Sequence, residues 1–90
     1  MKRLNIKVFG KVQGVFFRAF TKEKAELLGI SGWVRNLPDG TVQIVAEGPE
    51  GKLEEFLGYV KQGPPLAVVT KVETFEEPGD GEFEGFEIRY

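Results

Sequence analysis

Leu4, Ile6 and Val8 alternate with Asn5, Lys7 and Phe9, a period of two that predicts a half-buried strand at the start of the chain. Gly10 to Gly14 interrupts that period. From Arg18 to Leu28 the spacing is helical: Phe17, Phe20, Ala25 and Leu28 fall on one face, with Lys22, Glu23 and Glu26 on the other. Gly29 then stands where a helix C-terminus favours glycine. Ile30 to Asn36 predicts a second strand. Leu37-Pro38-Asp39-Gly40 is a turn in which Pro presets φ, Asp can bond its own backbone and Gly accepts positive φ. Val42, Ile44 and Ala46 alternate with Thr41, Gln43 and Glu47, so a third strand pairs with the second as a hairpin.

Gly48-Pro49-Glu50 opens a second helix, with Pro at the tolerated first position and acid in the first turn. Leu53, Phe56, Leu57 and Val60 carry its apolar stripe, and Gln62-Gly63-Pro64-Pro65 ends it. Val68 to Phe75 predicts a fourth strand, Pro78-Gly79-Asp80-Gly81 a loop, and Phe83 to Tyr90 a fifth strand with Phe86, Ile88 and Tyr90 on one face. The order is βαββαβ with an extra terminal strand or hairpin. One antiparallel sheet covered on one face by two helices is the ferredoxin-like α+β sandwich. That fold hosts many functions, so function has to come from a site.

Ninety residues leave room for one domain, 1–90. Eight Phe, one Trp and two Tyr supply the bulk of its core. No apolar run approaches the ~20 residues that cross a bilayer, and Met1-Lys2-Arg3-Leu4-Asn5 leads into no signal-peptide hydrophobic region, so a cytoplasmic protein without membrane contact is expected. With no Cys there is no disulfide framework, thiolate nucleophile, zinc finger or iron–sulfur cluster. With no His there is no Ser-His-Asp hydrolysis and no phosphohistidine chemistry, and the commonest metal ligand is missing. An enzyme built from this chain has to work without a side chain that titrates near neutrality.

A net charge of −2 argues against general nucleic-acid binding. The charge is uneven, however. Residues 1–35 hold eight Lys/Arg against two acids, and residues 36–90 hold four against twelve. A small anion would therefore be sought in the first third of the chain. The plainer reading places the two segments side by side, so that their opposite charges pair on one surface.

The stretch with chemical content is Gly10-Lys11-Val12-Gln13-Gly14-Val15-Phe16-Phe17-Arg18. A strand enters a glycine-bounded loop, and the loop enters a helix. Successive N–H groups in such a loop can converge on an anion, and the helix start adds unpaired N–H groups and the positive end of its dipole. Arg18 can clamp a phosphate with two parallel hydrogen bonds. The loop lacks the GxxxxGK[ST] and GxGxxG spacings. On spacing alone, a plain strand-to-helix turn with a surface Arg is the commoner arrangement. A second polar group, Asn36, ends the second strand. It is placed either to project toward Arg18 or to cap the turn before Pro38-Asp39-Gly40. Trp33 is read as packing or a surface shelf and Lys11 as solvated, and the acids from Glu76 to Glu87 are too spread out for a metal site.

Val8-Phe9-Gly10-Lys11-Val12-Gln13-Gly14-Val15-Phe16-Phe17-Arg18 resembles the first signature of the acylphosphatases. Gly32-Trp33-Val34-Arg35-Asn36-Leu37-Pro38-Asp39-Gly40-Thr41-Val42, with Glu47-Gly48, resembles the second, and the ending Phe86-Glu87-Ile88-Arg89-Tyr90 is also similar to family members. The resemblance spans residues 4 to 90 and departs from the signatures at no required position; Phe16 falls where the family varies. It implies the same fold, and hydrolysis of acyl phosphates to a carboxylate and inorganic phosphate without metal or other cofactor. It assigns phosphate binding to Arg18, orientation of water to Asn36, and the amide cradle to Val12, Gln13, Gly14, Val15 and Phe16. The composition accords with this. The leaving carboxylate has a conjugate acid of pKa ~4 and departs unprotonated, so no His is needed as a general acid. Small acyl phosphates are the expected partners, a monomer the expected state, and nucleic acid is not expected. The rival reading is a non-catalytic ferredoxin-like module that binds an anion or RNA or serves regulation; against RNA stands the lack of the aromatic RNP1 pattern.

Overall fold

The structure is a computed structural model that describes residues 1–90. Its elements are β1 (Lys2–Lys11), α1 (Phe17–Leu28), β2 (Ser31–Asn36), β3 (Val42–Gly48), α2 (Glu50–Gln62), β4 (Val68–Pro78) and β5 (Phe86–Arg89). They form one five-stranded sheet in the order β4-β1-β3-β2-β5, with both helices on one face. The ferredoxin-like sandwich expected from the periodicity is therefore present, and the central pair is β1 and β3. Three details differ from the expectation. β5 starts at Phe86 rather than Phe83, and it runs parallel to β2, so only four of the strands are mutually antiparallel. β4 continues to Pro78 along the edge. Pro49 is the N-cap of α2, one place before the expected position, with Glu50 opening the helix.

Register explains the core. Leu4, Ile6 and Val8 of β1 pair with Ala46, Ile44 and Val42 of β3, and Val34 of β2 pairs with Ile44. All of these side chains are buried on the helix-covered face. Phe17 and Ala25 of α1 and Leu53, Phe56 and Val60 of α2 close over them. Phe56 meets Phe86 of β5 with ring centroids 6.1 Å apart and planes tilted by 60°, a favourable edge-inclined packing that ties the last strand to the second helix. Thr21 is also inside the core of α1, where its hydroxyl donates to the Phe17 carbonyl at 2.8 Å and so costs no unpaired polar group.

The other face of the sheet has no helix over it, and this corrects the simple alternation expected for β3. Glu47 alternates with the core positions of β3 and so points to this other face, yet its side chain is fully buried. Arg3 Nε donates to it at 3.0 Å, and the Gly81 N–H donates to its other oxygen. Arg3 also reaches Asp80 at 2.8 Å and covers the Phe83 ring at 5.0 Å. The Glu47–Arg3 pair thereby holds the loop after β4 across the bare face of the sheet. Lys2 pairs with Glu50 and Glu76, and Lys7 with Asp39. Three of the eight cations of the first third, Lys2, Arg3 and Lys7, thus meet acids of the remainder, in part as the plainer charge reading expects, whereas Lys11, Arg18, Lys22 and Arg35 pair with no carboxylate. No helix is long and apolar enough to cross a membrane.

Candidate active site

The cradle begins where β1 has to leave the sheet. Its pairing with β4 shifts register between Phe9 and Gly10, and a side chain at Gly10 would collide with the Val68 carbonyl oxygen. Only glycine lets β4 approach so closely at this bulge. The chain then curls. Gly14 has φ 73° and Phe16 φ 65°. Phe16 is the only non-glycine residue in the left-handed region, and a bulky side chain there is a strained choice. Val12 and Val15 are buried, pinning the loop from below, while Gly14 and Phe16 face outward.

Phe16 is also the N-cap of α1, and it provides no side-chain cap. The first turn of α1 carries no acid, whereas α2 places Glu50 in its first turn. The first intrahelical bond runs from Phe20 N to Phe16 O at 3.0 Å, so the N–H groups of Phe17, Arg18 and Ala19 precede the ladder and have no acceptor within the helix. The positive end of this helix is left open to an anion.

These groups meet at a cavity of about 280 Å³. Val12, Gly14 and Phe16 line it from the loop, and Phe17, Arg18 and Ala19 from the first helical turn. Asn36 enters from the end of β2, and Ile88 and Tyr90 from the last strand and the C-terminus. Of the residues expected from sequence, Arg18, Asn36, Val12, Gly14 and Phe16 border this one cavity. Gln13 and Val15 belong to the same loop but do not line the cavity. Asp39 accepts from the Thr41 N–H at 3.0 Å and from the Thr41 hydroxyl, so the turn is capped by Asp39. The same bonds, strongest from the Thr41 hydroxyl, and the Lys7 ammonium hold the Asp39 carboxyl down to about 2.

Arg18 is held by a carbonyl and a ring rather than by a carboxylate. Its Nη1 donates to the Arg89 carbonyl at 3.3 Å, and its guanidinium lies 4.6 Å from the Tyr90 ring centroid. A carbonyl and a ring face orient the cation without cancelling its charge. Sequence reasoning did not connect Tyr90 and Ile88 to the site; the only available signal was the match of the terminal segment to the family pattern. Gln13 was expected to contribute its backbone N–H. Its side chain has a second engagement, donating to the Leu37 carbonyl at 2.8 Å and the Thr41 carbonyl at 2.9 Å.

A larger depression of about 670 Å³ lies on the bare face of the sheet, beside Asn5, Lys7, Glu73 and Phe75. It has no helix N-terminus, and its Lys7 already pairs with Asp39. The smaller cavity is therefore the one built for an anion. Trp33 is a half-buried shelf on the bare face, with the guanidiniums of Arg35 and Arg89 at 5.2 and 4.6 Å from its ring, and Lys11 is exposed.

The acylphosphatase family model matches residues 4–88. An acylphosphatase of Rubrobacter xylanophilus is 54% identical over 98% of this chain and 80% of its own length. The crystal structure of acylphosphatase from Bacillus subtilis superposes with a TM-score of 0.97 at 41% identity, covering 100% of both chains. The same unit matches 12% of full-length HypF, solved in a phosphate- and nucleotide-bound form, with a TM-score of 0.85 at 29% identity. Matched by the family model over residues 4–88 and superposing along its whole length on a solved acylphosphatase, this chain belongs to the acylphosphatase family.

Proposed function

We propose that the cavity at the start of α1 hydrolyses the carboxyl–phosphate anhydride of acyl phosphates by gripping the phosphoryl group and aiming water at it. The main-chain N–H groups from Val12 to Phe16 and the Arg18 guanidinium hold the phosphoryl oxygens. The Asn36 carboxamide holds a water in line with the bond to the carboxylate. The water oxygen bonds to phosphorus, the bond from phosphorus to the carboxylate oxygen breaks, and the carboxylate leaves with the electron pair. The water's proton passes to a phosphoryl oxygen, and the products are a carboxylate and inorganic phosphate. A neutral amide suits this role because it binds water through both donor and acceptor and does not repel the anionic phosphoryl group.

Most of the barrier in phosphoryl transfer is lowered by positioning and by stabilising charge on the phosphoryl oxygens. The chain offers groups for both. The observation that carries the reading is that Arg18, Asn36, Gly14 and the uncapped first turn of α1 border one cavity, although Arg18 and Asn36 come from different elements. The reading treats residues 1–90 as one domain acting as a monomer, since all the proposed groups come from a single chain. It places the enzyme in the cytoplasm, which a chain without cysteine suits.

Phosphate release from benzoyl and acetyl phosphate, measured with EDTA present, tests the proposal. Turnover of both acyl phosphates and none of p-nitrophenyl phosphate is expected, because a phosphate ester expels a poorer leaving group and usually needs an acid or a metal. Equal turnover of the ester, or loss of acyl phosphate hydrolysis in EDTA, overturns it.

A further inference from the structure

Arg18 and the cradle belong to the segment from β1 to α1, whereas Asn36 belongs to the hairpin of β2 and β3. The reaction needs both at a set separation, and the polar link between their two loops is a single side chain. Gln13 Nε2 donates one proton to the Leu37 carbonyl at 2.8 Å and the other to the Thr41 carbonyl at 2.9 Å. An amide nitrogen has two protons, and both are used. Leu37 directly follows Asn36, and Thr41 precedes Val42, the strand partner of Asn36. The two accepting carbonyls therefore stand on either side of the turn, and its stem carries the carboxamide assigned to water.

The link is not what forms the turn. The Leu37 N–H donates to the Thr41 carbonyl at 2.9 Å, and the Gly40 N–H to the Leu37 carbonyl at 3.1 Å. Asp39 closes the turn through the Thr41 N–H at 3.0 Å. Both carbonyls that Gln13 reaches thus keep a backbone partner without it. What its amide adds is a connection between the turn and the cradle, made from the loop residue immediately before Gly14.

We infer that Gln13 is a positioning residue: its carboxamide clamps the phosphate cradle to the turn behind Asn36 and so sets the distance from the bound phosphoryl group to the attacking water. The inference rests on the functional reading above. Misplacing reacting groups by about 1 Å can cost ~10²-fold in rate. Loss of the clamp acts on the in-line geometry more than on binding, because the N–H groups of the cradle and Arg18 stay in place.

Three variants test it in benzoyl phosphate hydrolysis, with inorganic phosphate as the competitive probe. Gln13→Met keeps the length of the side chain and removes both donors. It should lower kcat by ~10-fold or more while KM and the phosphate inhibition constant change less than ~3-fold. Gln13→Glu supplies the independent readout. Its carboxylate would face two carbonyl oxygens and break the clamp, but the protonated acid regains one donor. Its kcat relative to the parent should therefore rise as the pH is lowered from 7 to 5, a recovery that a packing defect would not produce. If Gln13→Met is unstable by thermal melting, the Gln13→Glu pH ratio decides alone. A parent-like kcat in Gln13→Met, or a pH-independent ratio in Gln13→Glu, overturns the inference. Asn36→Ala, run alongside, separates the two levels. Normal turnover in Asn36→Ala overturns the functional reading itself, whereas a slow Asn36→Ala beside a parent-like Gln13→Met overturns only the clamp.

Discussion

The Arg18 guanidinium lies over the ring of Tyr90, 4.6 Å from its centroid, although 72 positions separate the two residues in the sequence. The parallel pairing of β5 with β2 brings the end of the chain back to the start of α1. Tyr90 as a residue is 97% exposed, so the contact is an open one, of the kind that contributes ~0.5–1 kcal/mol. Tyr90→Ala should weaken binding of inorganic phosphate by ~2- to 5-fold, and Tyr90→Phe should bind it as the parent does. Calorimetric titration with phosphate measures both, and unchanged affinity in Tyr90→Ala would show that the ring does not orient the guanidinium.

Arg18 itself should be far less replaceable. Arg18→Ala removes a charge and a planar fork together, and a fall of at least ~10²–10³ in kcat/KM is expected. Arg18→Lys restores the charge without the bidentate geometry and should recover only part of the loss. Steady-state hydrolysis of benzoyl phosphate measures the series. Full recovery in Arg18→Lys would mean that charge alone suffices.

For Asn36 the expected signature is a split between constants. Asn36→Ala should lower kcat by ~10²–10³ and leave competitive inhibition by phosphate nearly intact, because the side chain is assigned to water and not to the anion. Loss of phosphate inhibition with turnover spared would reverse the assignment of roles.

The bare face of the sheet predicts a stability effect remote from the site. Glu47 is fully buried against Arg3, which is itself largely enclosed. Removing Glu47 leaves Arg3 its contacts with Asp80 and Glu82, but it takes away the acceptor of the Gly81 N–H and empties a buried position. Glu47→Ala should therefore lower the urea midpoint, with the slope unchanged. A midpoint equal to the parent's would show that the loop after β4 does not depend on Glu47.

Asp39 predicts an acid-dependent term. Its carboxyl is held down to about 2, first by the Thr41 hydroxyl, then by the Thr41 N–H and the Lys7 ammonium, against an ordinary value of 3.8. The folded state therefore favours the ionised form. The stabilisation is complete above the ordinary value and disappears as the pH falls from there through about 2. Asp39→Asn should melt below the parent at pH 7, and the two melting temperatures should converge toward pH 2. A gap that persists at the acid end would assign the effect of Asp39 to shape rather than to its charge.

The elements and the chemistry confined to one stretch of chain were readable from the order of residues. Strand and helix periods, the Pro38-Asp39-Gly40 turn, and a glycine-bounded loop running into Arg18 all depend on neighbours within a few positions, where backbone sterics and hydrogen-bonding rules act directly. That Arg18 and Asn36 border one cavity was reachable only by way of the expected strand order, and that the turn after Asn36 is closed by Asp39 required knowing what Asp39 bonds. Three features needed the tertiary structure. The amide of Gln13 finds the carbonyls of Leu37 and Thr41, Tyr90 returns beneath Arg18 because β5 adds parallel to β2, and Glu47 is buried although its place in the alternation marks it as outward. Each depends on strand pairing and loop closure between segments far apart in the chain, and a local period of two or 3.6 carries no information about which distant segment will cover a given face.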